Sequence, residues 1–245
     1  MTTRDTTSLL ARNDGDEIKK NFWDAAAVAS FGALSWPWLL RSLDGGSTAE
    51  KARLLDRLDL PRDALPNLGS WKADTGLLHL IADTIERERP GRVVEFGIGA
   101  TSLAIAASLR KWGNGSHTGF DQHADFVTET RGWLAEHSLM ADLQHAPLAP
   151  SPNGWPGLWY DTGLLEPGID LMVIDGPPWT VHPFTRGAAE ALFEKLSPGG
   201  IVLLDDAARP GERLVARQWR KLHPDMSFHL WKGGTKGTLI GRKRD

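Results

Sequence analysis

From residue 92 onward, short apolar runs alternate with longer amphipathic stretches. Residues 92–96, 117–120, 142–145, 169–174 and 201–204 read as strands. Residues 101–109, 124–137, 184–196 and 211–222 read as helices. The runs 169–174 and 201–204 are apolar throughout rather than alternating, as expected of strands buried on both faces. Residues 158–161 form a further short strand beyond a proline-rich connector over 146–156, and 197–200 (Ser-Pro-Gly-Gly) reads as a turn. Two last strands, 228–231 and 238–242, are joined only by the glycine-rich 232–237, too short for a crossover, so they run antiparallel. The pattern predicts an α/β fold: a doubly wound, mostly parallel seven-stranded sheet, Rossmann-like, with an antiparallel last strand.

The first third has a helical rather than a strand period. Residues 17–43 read as one or two helices, with Pro37 starting or kinking the second. Ser47 is placed to cap a helix over 48–58. Leu77, Leu78, Ile81 and Ile85 recur at helical spacing within 71–89, which Pro90 and Gly91 end. Residues 1–16 are polar and expected to be loose. The expected organisation is a helical extension or lid over 1–70 and a ligand-binding domain over 71–245.

Between the first strand and its helix stands Glu95-Phe96-Gly97-Ile98-Gly99, and the second strand ends at Asp121. Strand, glycine turn, helix, strand, acid is the plan of a nucleotide-binding unit. The glycines let backbone approach a ligand closely, and an acid after the second strand can hold both hydroxyls of a ribose. The third glycine of a dinucleotide fingerprint is replaced by Ser102, and Glu95 would repel a pyrophosphate. The turn therefore suits a nucleoside carrying an amine and no phosphate. Its expected contacts are Glu95, Gly97, Gly99, Thr101, Ser102, Asp121 and Gln122.

Composition narrows the classes. The chain has 245 residues, 41% apolar and 24% charged, ordinary for a globular protein. A net charge of -3 argues against nucleic acid as an obligatory partner. The absence of cysteine excludes disulfides, thiolate metal sites and cysteine nucleophiles. The N-terminal residues show no signal-peptide pattern, and no run approaches the roughly 18 apolar residues of a membrane span. A cytoplasmic protein without a membrane partner is expected, with the apolar N-terminal helices making a homodimer plausible. Eleven tryptophans against one tyrosine is unusual; packing accounts for most of them.

In an open α/β sheet, ligands lie beyond the carboxyl ends of the strands. Asp175 follows the fourth parallel strand, and Asp205 and Asp206 follow the fifth. Three carboxylates at one edge raise each other's pKa unless a cation stands among them. That points to a Mg²⁺-type site; the alternatives are a general base, a cap for the next helix, or pairing with Arg209. His182 is a candidate base, and equally a helix-start residue beside Pro183. Arg186 lies one turn further on. His145, Trp159, Trp179 and Arg209 fall at the same edge, where packing and ligand contact are both open.

The Glu95-x-Gly97-x-Gly99 turn resembles the first motif of the class I S-adenosylmethionine (SAM)-dependent methyltransferases. Ile-Asp-Gly-Pro-Pro at 174–178, Ser-Pro-Gly-Gly-Ile-Val-Leu-Leu-Asp-Asp at 197–206 and Arg-Pro-Gly-Glu at 209–212 resemble a bacterial branch near the macrocin-type, metal-dependent O-methyltransferases. The similarity spans residues 71–242. It implies SAM as cofactor, O-methylation of a small-molecule hydroxyl of sugar or secondary-metabolite type, and Mg²⁺ on Asp175, Asp205 and Asp206. Pro177 and Pro178 depart from the Ser-His of some relatives, which leaves the base and the metal geometry open. Rival readings are a nicotinamide-dependent dehydrogenase, a metal-free methyltransferase on another nucleophile, and a non-catalytic cofactor-binding protein.

Overall fold

The structure is a computed structural model and describes residues 21–65, 68–70 and 72–244. The expectation of a loose segment over 1–16 lies outside the described residues, as do 17–20 of the first predicted helix and Trp71.

Four helices come first: α1 (Phe22–Leu34), α2 (Trp36–Ser42), α3 (Thr48–Arg57) and α4 (Thr75–Glu88). Pro37 starts α2 rather than kinking a longer helix, because a missing N–H costs nothing in a first turn. Ser47 and Glu50 form a capping box: the Glu50 N–H donates to Ser47 Oγ at 3.1 Å, and the Ser47 N–H donates to the Glu50 carboxylate at 2.9 Å. Asp74 caps α4, accepting from the Leu77 N–H at 2.8 Å.

The alternating part follows as β1 (Arg92–Phe96), α5 (Ala100–Trp112), β2 (Ser116–Asp121), α6 (Ala124–Glu136), β3 (Asp142–His145), β4 (Leu148–Pro150), β5 (Leu158–Tyr160), β6 (Ile169–Ile174), β7 (Leu196–Leu204), α7 (Pro210–Leu222), β8 (Met226–Trp231) and β9 (Thr238–Lys243). The main sheet has seven strands in the order β3-β2-β1-β6-β7-β9-β8. The first five are parallel, and β9 enters antiparallel between β7 and β8. The order reverses at β1 and β6, so a crevice opens past their carboxyl ends.

Side chains alternate between two cores. Val93, Leu171, Val173, Ile201 and Leu203 face a core shared with Leu77, Leu103 and Trp133. Val94, Phe96, Met172, Ile174, Val202 and Leu204 face one shared with Trp159, Phe193 and Trp219. Burial on both faces explains why these runs do not alternate in sequence.

Three local expectations need correction. The stretch predicted as a regular helix over 184–196 is a 3-10 helical run, Thr185–Lys195. β7 begins at Leu196, before the predicted 197–200 turn; Leu196 pairs with Ile169, and a register shift carries the chain past Pro198 to resume at Ile201. The proline-rich connector contains β4, which pairs with β5 as a separate ribbon, where proline is tolerated at an edge. Among the described residues, no helix is long and apolar enough to cross a membrane.

Candidate active site

The glycine turn leaves β1 and lies between the ends of β2 and β6. The Gly97 N–H donates to the Phe120 carbonyl at 2.9 Å, and the Phe96 carbonyl accepts from the N–H groups of Asp175 and Gly176, each at 2.8 Å. Gly97 has φ +84°, and a Cβ there would lie 2.5 Å from Gly176 N. No other residue fits so close an approach of two backbones.

Glu95 is fully buried beneath this turn. Its Oε2 accepts from Ser102 Oγ at 2.6 Å and lies 3.0 Å from His117 Nε2. Ser102 Oγ in turn accepts from the Gly99 N–H at 3.0 Å. Ser102, at the place of a third fingerprint glycine, thus ties the acid to the turn. Asp121 accepts from the His123 N–H at 2.9 Å. Burial pushes its carboxyl up to about 7, and the nearby Glu95 charge adds to this, against the pull of the His123 and Ile98 N–H groups. Glu95 and Asp121 therefore share one crevice. Glu95 Oε1, Gln122 Oε1 and the Tyr160 hydroxyl are buried there with no partner among the described residues. Buried polar atoms of this kind call for a polar ligand to complete them. Thr101 stands in the first turn of α5, whose end presents free backbone N–H groups.

The trio beyond β6 and β7 also converges: Asp175, Asp205 and Asp206 each offer an oxygen within 4.8 Å of the others. The cations interleaved with them complete the picture. Arg186 Nη1 donates to Asp206 Oδ2 at 3.1 Å, and Arg209 Nη2 reaches Asp206 Oδ1 at 2.9 Å. Arg186 Nη2 is 3.7 Å from Asp175 Oδ1. Lys236 Nζ lies 3.6 Å from Asp205 Oδ2 and 3.8 Å from Asp206 Oδ1. Arg186, Arg209 and Lys236 are all buried.

These contacts set the charges. Burial alone would raise Asp206, but Arg209, Lys236 and Arg186 outweigh it and hold the carboxyl at about 2. Burial opposes the Lys236 charge, yet Asp206, Asp205 and Asp175 hold its ammonium above the ordinary lysine range. Burial raises Asp175 to about 6, tempered by Lys236 and Arg186, and pushes Asp205 well up, helped by Asp206. Glu212, buried near Arg209 and Arg186, is likewise raised to about 7. A divalent ion bridging Asp205 and Asp206 would stand within a few ångströms of Lys236. At about 4 Å and an effective dielectric of about 20, that repulsion is about 8 kcal/mol. Asp206 is held by two guanidinium groups, whereas Asp205 Oδ1 and Oδ2 accept no hydrogen bond among the described residues and meet the Lys236 ammonium at 3.6 Å; with that ammonium in place the trio is a poor fit to Mg²⁺.

His182 is buried, and its Nδ1 accepts from the Phe184 N–H at 3.1 Å; its Nε2 faces Asp24 of α1 at 3.9 Å. Trp159 is a core residue against Phe96, not a loop residue at the active edge. The Trp179 ring packs beside Gly32 of α1. His145 is exposed and meets the Gln122 carbonyl at 3.1 Å. Phe31 of α1 packs edge-on against Phe184, so α1 lies over the loop after β6. His117, Tyr160, Asp74 and Lys236 were not singled out from sequence. His117 had a usable signal, since it sits two residues from the buried Gly119 on the strand beside Glu95; Lys236 had none.

Residues 94–207 match a family model described as a methyltransferase domain. None of the curated proteins compared with the chain matches it. Solved structures share the fold at low identity. The O-methyltransferase TomG of Streptomyces achromogenes, involved in tomaymycin synthesis and solved with SAM, is 14% identical over 91% of this chain and 97% of its own, with a TM-score of 0.52. An O-methyltransferase of Bacillus cereus in complex with SAH is 13% identical, covering 90% and 99%, with a TM-score of 0.53. A SAH-bound methyltransferase of Podospora anserina is 14% identical, covering 94% and 100%, also at 0.53. Residues 94–207 thus match a methyltransferase domain, and the chain shares the fold of these SAM- and SAH-bound structures.

Proposed function

We propose that the chain methylates a hydroxyl of a small-molecule acceptor. The observation that carries this reading is the crevice of unpartnered buried acceptors around the glycine turn. Bound SAM supplies an electrophilic methyl group on a sulfonium leaving group. Glu95 receives the cationic amine of the cofactor's amino-acid end, and the α5 terminus at Thr101 receives its carboxylate. Gly97 and Gly99 allow the close approach, and Ser102 holds Glu95 in place. Asp121 and Gln122 receive the ribose hydroxyls.

The acceptor's proton goes to Asp175. Its side chain is 12% exposed, whereas Asp205 and Asp206 are shut in at 1% and 3%. A carboxyl titrating at about 6 is ionised at neutral pH and able to accept. His182 is the weaker candidate. With Nδ1 accepting a backbone N–H, the neutral ring carries its proton on Nε2 and has no lone pair left for a substrate. The rest of the acceleration comes from alignment of nucleophile and methyl group. The proposed transfer uses no divalent ion: Asp206 is held by Arg186 and Arg209, and Asp205 faces the Lys236 ammonium.

O-methylation is favoured over other nucleophiles because solved neighbours of this fold include O-methyltransferases. Calorimetry with S-adenosylhomocysteine and with NAD tests the cofactor: heat with the first alone is expected, and heat with NAD alone would sink the reading. Label transfer from methyl-labelled SAM to a panel of sugars, phenols and polyketides tests the acceptor. The cytoplasmic location and a homodimer belong to the same proposal. Phe22, Trp23, Trp36 and Leu40 of α1 and α2 are exposed, and sedimentation velocity reads whether a second copy covers them.

A further inference from the structure

We propose that Lys236, with Arg186 and Arg209, is a built-in replacement for a divalent ion, so that the Asp175–Asp205–Asp206 site holds no metal. The three carboxylates have the spacing of a metal site. Each already has a cationic side chain within 3.7 Å. Each oxygen of Asp206 is engaged by a guanidinium group, Oδ2 by Arg186 and Oδ1 by Arg209. Lys236 Nζ reaches both Asp205 and Asp206, which is where an ion bridging the pair would stand.

The lysine is held there by the fold. Its Nζ donates to the Lys72 carbonyl at 2.9 Å. Asp74 Oδ2 accepts from Thr235 Oγ1 at 2.7 Å and from the Lys236 N–H at 3.2 Å. The Lys236 carbonyl accepts from the Ala208 N–H at 3.1 Å, and the Gly237 carbonyl from the Ala207 N–H at 2.9 Å. The loop between β8 and β9 is thus fastened on one side to the helix cap of α4. On the other it is fastened to the segment that follows the acidic pair. A metal would have to expel the ammonium, strip a guanidinium from Asp206, and leave those cations buried without partners.

The inference needs only the trio's geometry; its consequence, metal-independent methyl transfer, rests on the proposed function. The test is Mn²⁺ titration of the full chain followed by electron paramagnetic resonance, with S-adenosylhomocysteine calorimetry on the same samples. Wild type is expected to leave the free-ion signal unchanged up to about 1 mM, the weak end of carboxylate sites. A Lys236→Met variant is expected to take up one ion per chain, with affinity raised at least about tenfold. Lys236→Gln, which keeps a donor for the Lys72 carbonyl, serves if the first variant does not fold. Uptake of one equivalent by wild type overturns the proposal. So does a folded variant that ignores the ion as wild type does. Absence of nucleoside binding would sink the proposed function while leaving the metal result to stand by itself.

Discussion

Asp206 keeps its charge while almost wholly buried because guanidinium groups face both of its oxygens. Asp206→Asn removes that charge and leaves Arg186 and Arg209 short of a partner. Chemical denaturation should show a loss of about 3–5 kcal/mol, the cost of breaking a buried pair from one side. Asp121 behaves differently, because burial holds its carboxyl at about 7. If Asp121 receives the ribose as proposed, only its ionised form accepts from both hydroxyls, so nucleoside affinity should rise with pH through about 7. Below that value affinity should fall toward tenfold per pH unit. Asp121→Asn should weaken binding by about ten- to a hundredfold and flatten this profile, as isothermal titration at several pH values would show. At this scale the sequence was informative about the acids and about Arg186 and Arg209, and silent about Lys236. Glu95, Asp121, Asp175, Asp205 and Asp206 could be singled out as candidates because each stands at the end of a readable strand. Arg209 could be found because it is three residues from Asp206. Lys236 lies in a glycine-rich linker thirty residues downstream of Asp206, and no local pattern marks it.

Elements carry the site through their ends. Asp74 caps α4 and also anchors the loop that bears Lys236. Asp74→Ala should cost about 2 kcal/mol, more than a cap alone contributes, because loop donors are orphaned as well. Thermal melts compared with Ser47→Ala, which loses only a cap, would isolate the excess. Gly97→Ala puts a methyl group against Gly176 in a backbone conformation that alanine avoids. It should lose more than about 1 kcal/mol of stability together with most nucleoside binding. Helices α3 and α4 were legible because their caps and apolar spacing agree. The Thr185–Lys195 run and the early start of β7 were not. Their form follows from packing, since Gly187 lies under the Trp155 ring and Leu196 pairs with Ile169. Neither neighbour is visible in a local window of sequence.

At the scale of the whole molecule, strand alternation was enough to reveal the sheet, because burial on both faces leaves a plain apolar signature. The position of β9 could not be read that way; an antiparallel hairpin says which strands pair, not which of them enters the sheet. The last strand in the chain lies in the interior, between β7 and β8. Until β9 docks, β7 therefore has a raw edge, and the loop that carries Lys236 to the acids is not anchored on its β9 side. A chain in which β9 cannot dock would be sticky along that edge. Removing residues 238–245 should accordingly give insoluble protein rather than a shortened, well-behaved chain.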